Sequence, residues 1–470
     1  MSVATSGLKL REKLAYGTGD FASVLYWQTF MVYMVFFYTD VFKISAFAAG
    51  WIFLASRIWD GVNDPMMGAL ADRTKTRWGR FRPYLLWISV PFAVVGVLTF
   101  STPDLSQSGK VVYALVTFTL LMMLYTAINI PYSALLGAIS SDPTERSSAS
   151  SYKFAFSYAA GAVVSFTLLP MAKYLGSGDQ AKGWRTSFVI YGVVAVVFFL
   201  ICFTFTRERV SPPASQRTPL ARDLKDLGGN RPWMVLLATT LTMILFVASR
   251  VCVSAHYFKY YVGEQELFGR TYGFEWLTSI FNGIGQVAAI IGCLFVSWLA
   301  TKLDKKKVFL LFFLVAAVST GALFPCRPDQ LILIYVLQII GSFTGGPLSA
   351  LIWAMYADTA DYSEWRTGRT ATGLIFSAST MSQKIGWAIG GFGASMMLAV
   401  VGFQPDAQAS AGVLLTLRLM MSLIPAVLGF GAMAVILAYK LDDKRMKEIE
   451  VDLNQRRGQA ATPALLQEQP

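Results

Sequence analysis

Residues 57–65 read Arg-Ile-Trp-Asp-Gly-Val-Asn-Asp-Pro. In a helix, Asp60 and Asp64 lie one turn apart on one face, with Arg57 three residues before Asp60 on the same side. Two carboxylates with the Asn63 amide beside them offer the hard oxygen ligands that suit a small cation such as Na⁺. Either carboxylate can take a proton instead. Pro65 has no N–H for the Gly61 carbonyl, which leaves a further oxygen ligand or a kink. The plainer alternative is a buried Arg57–Asp60 pair that only clamps the helix, but one arginine does not neutralise two acids. Lys384 stands in Met-Ser-Gln-Lys-Ile-Gly, 381–386. In apolar surroundings it needs a carboxylate or a water-filled cavity, and Asp60 and Asp64 are its expected partners.

The surroundings are apolar. Of 470 residues 55% are apolar, 14% aromatic and only 14% charged, against about 25% charged in a soluble chain. Mean hydropathy is +0.51. This excludes a disordered chain and a disulfide scaffold and argues against a soluble enzyme. A bilayer-spanning helix needs about 20 mostly apolar residues. Six such segments lie near 14–38, 45–70, 83–101, 111–138, 150–174 and 186–205. Six more lie near 233–262, 271–300, 308–326, 329–356, 371–402 and 413–440. The pattern predicts an all-α integral membrane protein: a six-helix bundle over 1–206, a linker over 207–232, a second six-helix bundle over 233–440 and a mobile tail over 441–470. Of 40 Lys and Arg, 28 fall on the side of the chain ends and linker and eight on the other. That bias predicts both termini in the cytoplasm. It also accounts for the net charge of +12 as a topology signal and lipid anchor, without nucleic acid. The four cysteines lack metal-ligand spacing, and the single histidine, His256, excludes a multi-histidine metal site.

Within the spans, Thr126 and Asn129 share a helix face. They are read as cation ligands, as partners for a sugar hydroxyl, or as simple helix–helix bonds. Asp20 and Lys153 face a polar cavity or snorkel to the interface. Tyr26, Trp27, Tyr125, Tyr132, Trp353 and Trp387 offer flat faces on which a sugar ring stacks, or plain packing. Two polar loops carry opposite charge excess. One holds Asp72 and Arg73 with a basic run to Arg82; the other holds Asp358, Asp361, Glu364 and Arg366. They are expected to form an ion-pair gate on the cytoplasmic side that breaks when the protein opens inward. No Gly-x-x-x-x-Gly-Lys-Ser/Thr nucleotide fingerprint is present, so an ion gradient is the expected driving force.

The run from Arg57 to Gly68, the run Asp72-Arg-Thr-Lys-Thr-Arg-Trp-Gly-Arg-Phe-Arg-Pro83, Tyr38-Thr-Asp40, Asn129-Ile-Pro-Tyr132, Asp358-Thr-Ala-Asp361-Tyr-Ser-Glu-Trp365 and Lys384-Ile-Gly386 together resemble the glycoside–pentoside–hexuronide:cation symporters of the major facilitator superfamily, the family of the melibiose carrier. The resemblance runs from about 9 to 440, and its Asn129-Ile-Pro-Tyr132 version looks more like the pentoside (xyloside) or hexuronide branch. It implies the major facilitator fold and cation-coupled sugar uptake by alternating access. It implies a cation site at Asp60, Asn63, Asp64 and Thr126, and a sugar site that draws on Asp20, Asn129, Lys153, Trp353 and Lys384. Arg57 and the two loops are expected to gate. Asn129 stands where the melibiose carrier has an aspartate, which removes a negative charge from the cavity. No cofactor beyond the coupling ion, Na⁺ or H⁺, is expected. The expected partners are a small sugar and membrane lipid, with the chain a monomer in a bacterial inner membrane. The alternative is a carrier of a non-sugar solute such as a lysolipid, which would want a less polar cavity.

Overall fold

The computed structural model describes residues 8–140, 142–210, 228–267, 269–299, 302–368, 372–453 and 455. Linker residues 211–227, tail residues 456–470 and the Asp72 side chain lie outside the described residues.

Each of the twelve apolar segments is a helix or a broken helix. The first half holds Leu10–Val32 continued by Met34–Val41, Ala46–Arg73, Arg82–Trp87 with Ser89–Thr99, Gln107–Ile139, Pro143–Gly176 and Gln180–Phe205. The second half holds Arg231–Val262, Phe274–Leu299, Lys305–Gly321, Leu331–Gly345 with Leu348–Thr367, Thr372–Val400 and Ala411–Met421 with Leu423–Ile436. They are called spans one to twelve below. Seven are long and apolar enough to cross a bilayer as they stand, and the first makes an eighth as a pair bent by 61°. Span two holds Arg57, Asp60 and Asp64, whose cost inside a membrane has to be offset by partners.

Local chemistry starts the helices. Side chains of Ser45, Ser106, Asp142, Asp179, Asn230, Asp304 and Ser410 each accept from a backbone N–H in the first turn that follows, which satisfies donors that the helix leaves orphaned. The first span of each half ends alike. Span one breaks at Tyr33 and finishes in a π-helical turn, Phe37–Val41; span seven breaks at Cys252 and finishes in Tyr257–Val262. A short hairpin, Gln265–Leu267 paired with Arg270–Tyr272, precedes span eight. Part of the segment read as a mobile tail is ordered. Residues 443–453 form a helix whose Met446, Ile449 and Leu453 are buried in the core of the second half. The Trp365 indole donates to Asp452 across 2.5 Å. That apolar spacing makes one buried stripe, and the surrounding charge hid it in the composition.

Helices meet most closely where glycine removes the side chain. A Cβ at Gly183 of span six would lie 1.9 Å from the Ala172 carbonyl oxygen of span five, and one at Gly292 of span eight 1.9 Å from that of Phe343 in span ten. Small residues are what allow backbones to approach in a membrane bundle. Gly292→Val is expected to cost about 1–3 kcal/mol by overpacking and to lower the melting temperature of the detergent-solubilised protein. Gly393→Ala, where a Cβ meets nothing within 4 Å, should leave it unchanged.

Candidate functional site

Span two carries the acids to the middle of the molecule, where span four of the same half and span eleven of the other meet them. Asp60 is 1% exposed. Its Oδ2 accepts from Arg57 Nη1 at 3.2 Å, and its Oδ1 has no partner. Asp64 is shared: Oδ1 accepts from Thr126 Oγ1 at 3.0 Å, and Oδ2 pairs with the Lys384 ammonium. The expected meeting of Lys384 with the span-two acids therefore falls on Asp64. The Lys384 and Asp64 charges also act on Asp60. The Asn63 amide nitrogen is buried without a partner. The Arg57 guanidinium lies 4.8 Å from the Trp27 ring, which stacks on Tyr125 at 5.3 Å. Five predicted residues, Arg57, Asp60, Asp64, Thr126 and Lys384, thus form one contiguous set with two internal cations on two acids. Among the described residues, no group of three or more His, Cys, Asp or Glu is arranged to hold a metal.

A second pair lies nearer the linker side. Lys153 Nζ is 3.7 Å from Asp20 Oδ1 and 5.4 Å from the Tyr132 ring, itself stacked on Tyr16. Asn129 donates to the Tyr125 carbonyl at 3.0 Å, a bond within its own helix. Trp353 stacks on Phe376 at 5.6 Å inside the second half, and Tyr26 packs among Phe92 and Phe188 in the first. Neither is brought to the acids. Between the halves lies a cavity of about 360 Å³ lined by residues that include Gln28, Tyr158, Arg250, Asn282, Gln286 and Trp387. Apart from Trp387, sequence reading gave none of these a role. A single Gln or Asn in a span is a weak signal until its helix face is known.

The two polar loops act within their halves in every bond named here. Glu208 accepts from the backbone N–H groups of Arg80, Phe81 and Arg82 at 2.8–2.9 Å. Asp358 takes Lys305 at 2.7 Å, and Arg366 donates to the Gly229 carbonyl. Arg73 is exposed, and Asp361 and Glu364 are engaged. Among the described residues, the ion pairs that join the halves besides Asp64–Lys384 lie on the side opposite the linker. Asp40 of span one takes Lys259 of span seven at 2.7 Å and lies 3.2 Å from His256 Nε2. Asp406, in the turn before span twelve, pairs with Lys259 and with Lys43 of the first half. Lys173 and Glu275 join spans five and eight at 3.0 Å. The clamp therefore sits on the far side. Its signal in the sequence was positional, since Asp40 and Lys259 occupy matching places at the ends of spans one and seven.

Comparison with known proteins agrees with this architecture. Residues 15–443 match the family model described as MFS/sugar transport protein. The chain is 36% identical over 422 residues to the Inner membrane symporter YicJ of Escherichia coli (strain K12), covering 89% of each chain. It is 34% identical over 452 residues to the Isoprimeverose transporter of Lactiplantibacillus pentosus, covering 95% of this chain and 92% of that one. Among solved structures, a bacterial homologue of the human lysosomal transporter Spinster, inward-facing and unoccupied, superposes with a TM-score of 0.67 at 14% identity, over 94% of this chain and 99% of that one. The chain belongs to the MFS/sugar transport protein family of the major facilitator fold. It is a multi-pass membrane transporter, not an enzyme.

Burial pushes the Asp406 carboxyl up, but the Lys259 and Lys43 ammonium groups outweigh that and hold it below the usual carboxylate range. Its contribution to the clamp is therefore complete above the unfolded value of about 3.9 and is lost as pH falls through the lowered one. Cys252, seven residues before Lys259 in span seven, is buried, its thiol donating to the Met31 carbonyl of the opposite half at 3.4 Å. In a chain retaining Cys252 alone, maleimide labelling relative to the denatured chain is expected to stay flat between pH 7 and 5. It should rise severalfold in Lys259→Met.

Proposed function

We propose that Asp60 and Asp64 take the coupling cation and that its arrival releases Lys384, linking the ion to the movement of a sugar. The protein is a cation–sugar symporter of the alternating-access kind. The observation that carries the site assignment is Asp64, held on one oxygen by Thr126 of its own half and on the other by Lys384 of the opposite half. An internal ammonium stands where an external cation would compete. An ionised side chain left unpaired inside a span costs about 2.5–3.5 kcal/mol. Lys384 can therefore leave Asp64 readily only if another cation or a proton replaces it. The exchange cuts a tie between the halves, and the sugar then binds through the Asp20–Lys153 pair, Asn129 and the polar cavity. The linker side is cytoplasmic, so the clamped side faces outward and the cavity opens inward. The carrier works as a monomer in the inner membrane, since one chain holds every group named, and uses no cofactor beyond the ion. A membrane potential of 100 mV supplies about 2.3 kcal/mol per charge, enough to concentrate a neutral solute tens-fold. The polar cavity suits a sugar better than a lysolipid tail.

Asp60→Asn and Asp64→Asn, reconstituted in proteoliposomes, are expected to insert normally and to lose gradient-driven accumulation while retaining exchange. Imposing a sodium or a proton gradient separately on the parent identifies the ion. Accumulation against a gradient in both variants would overturn the site assignment.

A further inference from the structure

Five cations lie within the spans between the linker-side ends and the far-side clamp: Arg57, Lys153, Arg250, Lys384 and, near the far-side end of span twelve, Arg418. Three have an acid. Arg57 pairs with Asp60 at 3.2 Å, Lys153 with Asp20 at 3.7 Å and Lys384 with Asp64. Arg250 does not. It is 8% exposed, in span seven. Its Nη1 donates to Thr320 Oγ1 at 3.4 Å and its Nη2 to Gln338 Oε1, both neutral, and among the described residues no carboxylate pairs with it. Gln338 is itself fixed, its Nε2 donating to the Phe281 carbonyl at 3.2 Å. The middle of the protein therefore carries one positive charge more than its three acids balance.

A buried ion without a counter-ion is costly, and a span keeps one where it serves a function. Arg418, which like Arg250 lies inside a span without an acid partner among the ion pairs, reaches the Phe324 carbonyl just past the far-side end of span nine. Arg250, about five turns into span seven, also reaches the far-side end of span nine through Thr320, but unlike Arg418 it lines the cavity between the halves. Tying spans seven, nine and ten together needs donors, not charge. A guanidinium adds a planar fork that grips a carboxylate or sulfonate on two oxygens, and the two named bonds leave donors free for one. Around it, Gln28 and Tyr158 of the first half and Asn282 and Gln286 of the second present polar groups suited to hydroxyls, and Trp387 an indole face. The volume of about 360 Å³ falls within the range of small-molecule sites.

We propose that Arg250, oriented by Gln338, is the subsite for an acidic group of the transported sugar, so that the preferred substrate is a monoanionic glycoside or uronic acid. This rests on the sugar-symport reading and deepens it: with one coupling cation a monoanion crosses without net charge, so the ion's concentration gradient, not the membrane potential, drives its accumulation. The test is counterflow in proteoliposomes of the full chain with matched pairs, a glucuronide with its glucoside and a galacturonide with its galactoside. The acid is expected to be favoured at least tenfold in one pair or more, and Arg250→Gln to abolish that preference. Should Arg250→Gln fail to fold, Gln338→Glu gives the arginine an internal counter-ion and is expected to shift preference to the neutral sugar. Exchange of neutral members alone, or an acid preference unchanged in the variant that folds, overturns the subsite and leaves symport standing. Accumulation that survives in Asp60→Asn and Asp64→Asn with the acid preference intact overturns the coupling site and leaves the subsite. Exchange of no sugar overturns both.

Discussion

The contact between Asp64 and Lys384 organises the molecule. A carboxylate and an ammonium in the apolar middle of a bundle each cost free energy alone, and together they fix which helices must meet. Span two belongs to the first half and span eleven to the second, so this one pair ties the halves at mid-depth. Thr126 from span four completes the second oxygen of Asp64, and Arg57 holds Asp60 from the same helix. Asp64 is satisfied on both oxygens and its cationic partner is replaceable, because an ammonium on a flexible stem is the kind of partner a small cation or a proton can displace.

The two halves obey one plan and differ where they must attract. Spans one and seven both break before their far ends and both finish in a π-helical turn, a local widening that recurs at functional sites. At matching places one carries Asp40 and the other Lys259, which therefore face each other as opposite charges. Asp406 and Lys43 extend that contact into a network. Networks hold better than isolated surface pairs, which suits a closure that has to form and release as a unit. Close glycine packing brings the backbones of spans five and six, and of spans eight and ten, into direct contact within each half.

Much of this was legible in the residues themselves. Twelve apolar segments, a basic linker and the bias of lysine and arginine followed from the requirement that a bilayer core hold no unsatisfied backbone and few charges. The spacing of Asp60 and Asp64 and the isolation of Lys384 in an apolar helix marked them as a set, because intramembrane charge needs a partner. Legibility failed where a residue's role depends on what another helix brings to it. The charged loops around Arg73 and Arg366 read as a gate that forms and breaks, and which bonds they make in this arrangement, to Glu208 and Gly229 from the segments flanking the linker, depends on those neighbours. Trp353 looked like a stacking platform and stacks on Phe376 instead.

The chain alone determined that this is a helical membrane carrier with acids and a lysine at mid-depth, since hydrophobic length and the cost of buried charge act on local sequence. Only the tertiary structure decided that Lys384 chooses Asp64, that the clamp lies opposite the linker, that residues 443–453 fold onto the second half and that Arg250 meets no acid. Each of those depends on the rotation of one helix against another. Such a rotation is set by the summed packing of side chains far apart in the chain, which no local pattern encodes.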